Sequence, residues 1–373
     1  MNFLDAIIAV SRFSEFWPID SRAPSLIKLG GKFLVEHLLD HLTNFPIKQV
    51  YLIADKEDKQ YVERINFDKY AFRVNVTYID GSRDVTNIIV HANADVTSNE
   101  ILFLFGHDFF AIEYLSSILA SKCAYIMSDR EEIIRAFHIP RSLFNRLAES
   151  ENLKGELTKI CTKISTEFLF PIFPWHLFQI MKLLMKKMIT KQFIHPSARV
   201  SKWAIIEGPV YIDEGAKLYR NAIISGPAYI GKDAIIGDHT LVRDSIIEQG
   251  ALVGCFMEVA RSILQENVET HSGYLGDSII DKFSHLGAGF ISANLRLDRG
   301  YIYVTVGDEK INTEMTKLGA IIGERTEVGV HVATMPGKLI GKNVVIGPGT
   351  VIFKNIDDNT IIYAEFKYIE KQR

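Results

Sequence analysis

A six-residue beat constrains this chain more than any other feature of it. Ile194, Val200, Ile206, Ile212, Leu218, Ile224, Ile230, Ile236 and Val242 stand in strict register. Four residues after each of the first eight comes a small or β-branched side chain: Ala198, Ala204, Val210, Ala216, Ala222, Ala228, Ala234 and Thr240. The beat resumes at Ile322, Val328, Thr334, Ile340, Ile346 and Ile352, with Gly323, Gly329, Gly341 and Gly347 directly after four of these anchors. Six residues make one flat face plus a corner, so three hexads close a triangular coil of about eighteen residues with its anchors inside. A lone coil cannot bury its own inner face, so coils must stack and pair. Residues 194–356 supply roughly nine such coils. One excursion, 298–317, lacks the beat; its alternation over 301–306 followed by Gly307 and Asp308 predicts a hairpin leaving the prism.

The first third is written in another period. Apolar runs at 6–10, 49–54, 74–79 and 101–105 are separated by turn-rich and helical stretches, including the amphipathic 32–42. This predicts βαβ units around a parallel sheet. Over 174–190, Pro174 in the first turn and a stripe of Leu177, Ile180, Met181, Leu184, Met185 and Met188 predict a helix. That stripe is read as core, with a membrane-surface face, favoured by Lys182, Lys186 and Lys187, as the alternative. The expected division is 1–170 for an α/β domain, 171–192 for a linking helix, 193–360 for the coil stack and 361–373 for a tail.

Charge and composition then exclude several partners. Forty-two basic against 45 acidic residues give a net charge of −3, and no Lys/Arg block is present. A nucleic acid held by phosphate neutralisation is therefore not expected. The most apolar window, 168–185, is broken by Pro171, Pro174, His176, Gln179 and Lys182, so no membrane span is expected. The start lacks the basic segment of a secretory signal, which makes the cytoplasm the expected location. Cys123, Cys161 and Cys255, odd in number and far apart, are expected to be reduced thiols.

The combination of an α/β first part and a hexad-repeat second part resembles the bifunctional family of sugar-1-phosphate nucleotidyltransferase/amino-sugar-phosphate N-acetyltransferases found in bacteria and archaea. The resemblance is carried by HSGYLGDSII at 271–280, LGAGFISANLR at 286–296 and KLGAIIG at 317–323, in that order. It implies a left-handed parallel β-helix after a Rossmann-like nucleotidyltransferase domain. It also implies an N-acetyltransferase that takes acetyl-CoA as co-substrate, acts on an amino-sugar phosphate or a nucleotide-linked amino sugar, and assembles as a homotrimer. By the same resemblance His271 is the general base, Asn294 meets the amine and acetyl group, the Ala288 backbone amide serves the acetyl oxygen and Tyr274 contacts the sugar phosphate. Val330, Gly347, Pro348 and Gly349 fall where the family holds acetyl-CoA. Three substrate positions depart from the pattern: one family lysine falls at Gly300 with Arg299 beside it, another near Ala260 and Arg261, and a pocket asparagine is replaced by His285. Arg261, Arg299 and His285 thus suggest an altered amino-sugar acceptor.

The nucleotidyltransferase part of the resemblance is degraded. After Ala9 the chain reads VSRFSEFW over 10–17, without the glycines a phosphate-cradling loop needs. The family's Pro-Lys reads Pro24-Ser25, and its Gly-Asp metal pair reads Gly106-His107-Asp108. Asp108 is the one candidate for magnesium, and Arg12 or Lys28 would have to replace the lost phosphate contacts. Nucleotidyl transfer is expected to be lost. The alternatives are a catalytically silent subunit that binds a sugar nucleotide to regulate or scaffold a relative, and an active nucleotidyltransferase.

Overall fold

The computed structural model describes residues 3–81, 85–108, 112–127, 134–150, 152–165 and 171–372. The chain divides into two units. The first comprises Met1–Phe16, Arg22–Ile27 and Lys32–Ile172, and the second Trp17–Ser21, Lys28–Gly31 and Phe173–Arg373. Two short stretches of the N-terminal region thus belong to the second unit, as does the helix expected to be a linker.

In the first unit, β1 (Leu4–Val10), β2 (Ile47–Asp55), β3 (Arg73–Ile79) and β4 (Glu100–Phe105) are parallel in the order β3-β2-β1-β4. Every residue of β1 is buried. Ala6, Ile8 and Val10 enter one core, while Ile7 and Ala9 enter another on the opposite face. A sheet covered on both faces needs the continuous apolar runs by which the sequence predicted these strands. Beyond β4 the sheet turns mixed, with β6 (Ile134–Pro140) antiparallel both to β4 and to β5 (Ala124–Met127). Cys123 and Cys161, read from sequence as reduced thiols, form a disulfide with a Cα–Cα distance of 4.8 Å. Spacing could not reveal it, because the pairing of β5 with Thr162–Lys163 brings the two cysteines together.

The second unit is the coil stack. Three parallel sheets of eight, nine and eight strands run along it, consistent with a left-handed β-helix. Its core is made of the residues that kept the beat, including Ile212, Leu218, Ile224, Ile230, Ile236 and Val242 with Ala216, Ala222, Ala228 and Ala234. The excursion is a hairpin as predicted, Tyr303–Val306 against Glu309–Asn312, and buried Ile302 and Val304 fold it back onto the stack. The helix Leu177–Met188 buries Leu177, Ile180, Met181, Leu184 and Met185. Five residues of the stripe are therefore core, while Met188 at its end is exposed. Among the described residues no helix is long and apolar enough to cross a membrane.

Coil length is not constant. It is eighteen residues where Phe193 pairs with Tyr211, seventeen where Tyr229 pairs with Ile246 and sixteen where Ile263 pairs with Ile279. The sixteen-residue coil loses one residue at the corner joining the second face to the third, where two residues instead of three separate the strands, and the other loss falls at the corner joining the third face to the first. There Asp244, Arg261 and Asp277 adopt positive φ, each followed by a fully buried serine. A shortened corner needs a new acceptor for the next coil's N–H. Ser245 Oγ accepts from the Ser262 amide at 3.0 Å, Ser262 Oγ from the Ser278 amide at 3.1 Å, and Ser278 Oγ from the Ala320 amide at 3.1 Å.

Within the same unit the Gly30 and Gly31 amides donate to the buried carboxyl of Glu248, at 2.7 and 3.1 Å. Gly31 must lack a side chain, since a Cβ there would lie 2.3 Å from the Tyr229 hydroxyl. Burial, reinforced by nearby Glu266, pushes the Glu248 carboxyl up to about 8 from an ordinary 4.5. The folded state therefore binds a proton that the unfolded chain has released, and stability falls as pH rises from about 4.5 through about 8. Glu248→Gln keeps an acceptor for both amides and should flatten that part of the thermal-unfolding profile against pH. An unchanged slope would show that Glu248 does not carry it.

Candidate functional site

The site is built on two corners of the second unit and the face between them. At the corner joining the second face to the third, the residue after the inner anchor is Ser201 and Tyr219 in the first two coils, then Gly237, Gly254, His271, Gly287, Gly329 and Gly347, and Tyr363 in the last. The glycines are required by stacking. A Cβ on Gly287 would stand 2.7 Å from the Gly329 carbonyl carbon, and one on Gly329 would stand 2.7 Å from the Pro348 nitrogen. His271 alone interrupts the glycine run, and its side chain is exposed, with glycines at the same position of the coils on either side. Ala288, Val330 and Pro348 occupy the next position of the same corner, so the residues expected to meet acetyl-CoA share one line with the histidine. Among the described residues the Ala288 N–H has no hydrogen-bond acceptor. At the far end, Tyr363 and Phe366 of the tail lie against Gly347 and Gly349, within 2.7 and 2.8 Å of where a Cβ would stand.

His285 lies on the second face one coil on from His271, with its ring centroid 5.6 Å away and edge-to-face. It stands between Glu269 and Glu327 in register, and its Nδ1 is 3.3 Å from Glu327 Oε2.

At the corner joining the third face to the first lies a second cluster. Arg261 donates through Nε and Nη2 to both oxygens of Asp277, each at 2.7 Å. This pairing holds the guanidinium well above its ordinary range. Asn294 Nδ2 donates to Asp277 Oδ2 and, at 3.2 Å, to the Tyr274 hydroxyl. Tyr274, Arg261 and Asn294 are thus brought together. The bidentate fork of Arg261, expected on a sugar phosphate, is spent on Asp277 instead. Arg299 sits in the exposed excursion, and its side chain does not join the cluster. Asp277 and Gly276 were missed by sequence reasoning. The available signal was the recurring corner of Asp244-Ser245, Arg261-Ser262 and Asp277-Ser278 at shortened spacing. Gly276 is demanded by the cluster itself, because a Cβ there would stand 2.3 Å from the Tyr274 hydroxyl and 2.8 Å from Asn294 Nδ2.

The first unit holds a different group at the carboxyl ends of β1 and β4, where an open parallel sheet receives its ligands. His107 is buried between Phe13 and Phe105, at centroid distances of 4.9 and 5.6 Å. Neither its ring nitrogens nor the Asp108 oxygens have a hydrogen-bond partner. Burial pushes the Asp108 carboxyl up to about 7 against the opposing charge of Arg135. Among the described residues no group of three or more His, Cys, Asp or Glu could hold a metal ion. A sealed, readily protonated carboxyl beside an arginine does not fit magnesium, which prefers several ionised oxygen ligands. The candidate cations are also engaged. Arg12 is tied to both oxygens of buried Asp58, at 3.0 and 2.7 Å, and Lys28 lies 3.2 Å from Glu266 within the second unit.

Comparison with known proteins follows the same division. No family model matches the chain. The "Bifunctional protein GlmU" of Methanococcus aeolicus is 33% identical over 99% of this chain and 100% of its own length, and that of Methanococcus vannielii 27% over 99% and 100%. The "Bifunctional sugar-1-phosphate nucleotidylyltransferase/acetyltransferase" of Sulfurisphaera tokodaii is 25% identical over 96% of this chain and 98% of its own. The chain belongs to this GlmU-like bifunctional family.

The Tyr274–Asn294–Asp277 arrangement gives a direct structural expectation. Gly276→Ala should force Tyr274 and Asn294 apart and lower stability by about 1–3 kcal/mol, as overpacking does, measured by thermal unfolding. Wild-type stability would mean that Tyr274 is free to swing away.

Proposed function

We propose that the second unit is an acetyl-CoA-dependent N-acetyltransferase acting on an amino-sugar phosphate or its nucleotide-linked form. One observation carries the reading: between Gly237 and Gly347 the stacked glycine corner admits a single side chain, His271, at one end of the face whose other end carries the Tyr274–Asn294 cluster. The pantetheine arm of acetyl-CoA lies along the corner past Ala288, Val330 and Gly347, with Pro348 and Gly349 at its far end beside Tyr363 and Phe366. His271 removes a proton from the acceptor's ammonium group. The freed nitrogen attacks the thioester carbon, and the Ala288 N–H receives the oxyanion that forms. The C–S bond then breaks, the thiolate takes the proton held by His271, and the extra proton on the acylated nitrogen passes to the freed imidazole and on to solvent, leaving CoA and the N-acetyl sugar. His285, steadied by Glu327, shapes the pocket beside the base, and Arg299 reaches the sugar phosphate from the excursion.

The reading includes a homotrimer. Support comes from the outward row of the third face, Ile205, Ile223, Leu241, Glu258, Tyr274, Ile291, Ala333 and Val351 in register, which is largely apolar and passes through the site. For the first unit we propose that nucleotidyl transfer is absent. Its arginine and the Gly30 and Gly31 amides, which could meet phosphates, already serve Asp58 and Glu248.

His271→Ala should reduce acceptor-dependent CoA release by about 10²–10⁴-fold with little change in unfolding temperature. Retained activity would remove the histidine from the mechanism. Incubation with nucleoside triphosphate, magnesium and sugar-1-phosphates should release no pyrophosphate, and release would restore the first unit as an enzyme.

A further inference from the structure

Resting on the acetyltransferase reading, we infer that Asp277 is a positioning residue that makes the site select an acceptor nitrogen carrying hydrogens. The argument is one of hydrogen-bond accounting. A carboxylate paired with a guanidinium can only accept, so the Asn294 atom facing Asp277 is its NH₂ group. The two hydrogens of that group go to Asp277 and to the Tyr274 hydroxyl. Asn294 is therefore locked with its carbonyl oxygen turned away from the cluster, as an acceptor with nothing left to donate.

Tyr274 is fixed by the same count. Its oxygen accepts from Asn294, while the Arg261 fork is engaged by Asp277. With an N–H already directed at its oxygen, Tyr274 offers a ligand its phenolic hydrogen. The cluster presents one outward acceptor, Asn294 Oδ1, and one outward donor, the Tyr274 hydroxyl. An amine or ammonium beside an oxygen-rich group such as phosphate satisfies both. Asp277 touches neither, since its side chain is 10% exposed and both oxygens are occupied. It acts through Asn294 and Tyr274.

The test compares binding of a 2-amino sugar phosphate with binding of the same sugar phosphate lacking any hydrogen donor at that carbon, a 2-deoxy or 2-O-methyl analogue, by calorimetry without acetyl-CoA. The wild type should prefer the amine by at least about tenfold, as a buried acceptor left without a donor implies. Asp277→Asn, which can itself donate, frees the Asn294 amide to turn over. It should lose most of that preference while the KM for acetyl-CoA stays within about twofold. Tyr274→Phe should keep the preference, because Asp277 still holds Asn294, yet bind both ligands more weakly. A purely structural role for Asp277 would weaken both ligands alike in Asp277→Asn. That result overturns the inference, as does a wild type that binds the donor-free analogue equally well, which needs no variant to fold. If the wild type shows this preference but transfers no acetyl group, the catalytic reading fails and the positioning role stands. If it transfers acetyl without the preference, the reverse holds.

Discussion

Everything in the second unit depends on each coil lying at strand-pairing distance, about 4.8 Å, from the next. The amide of one coil bonds the carbonyl of its neighbour at nearly every turn of the chain, so neither coil can move without the other. This spacing leaves room for an aliphatic side chain inside the prism and for almost nothing between stacked corners. Gly237, Gly254, Gly287, Gly329 and Gly347 follow from it directly. So does the prominence of His271, whose counterparts in the coils on either side are Gly254 and Gly287. The same spacing places Tyr274 against Gly276 and brings Asp277 under Asn294 across two coils.

The stack was legible in the sequence because its cause is periodic. An inward anchor every sixth residue is a demand of the core, and the anchors from Ile212 to Val242 reappear as one continuous cluster. His271, Tyr274 and Asn294 were legible because motif and order are local. Asp277 was not, since its importance comes from a side-chain count across coils, and an aspartate at a corner is what any turn would use. At Arg261 the charge was visible in the sequence, and the carboxylate that pairs with it was not. The mixed edge of the first sheet and the Cys123–Cys161 bond depend on pairings far apart in the chain, which no period announces.

The first unit keeps the parallel sheet of a nucleotidyltransferase-like fold around an altered set of side chains. The strands β1 to β4 keep their parallel order, while the positions that would meet a nucleotide have acquired partners within the chain. Phe13 packs against His107, Arg12 is held by Asp58, and Asp108 is sealed beside Arg135. The Gly30 and Gly31 amides, oriented as an anion site would need, bond Glu248 of the second unit's own core.

The excursion at 298–317 leaves the stack after the coil containing Ile280 and returns so that Ile280 still pairs with Ile322. Sequence length and coil register are thereby uncoupled at that corner. New surface can be grafted there, lengthened or exchanged without shifting a single inner anchor, whereas one extra residue inside a face would turn every following side chain inside out. The molecule thus separates the parts that must stay invariant from the one that can be remodelled, and the remodelable part begins four residues after Asn294.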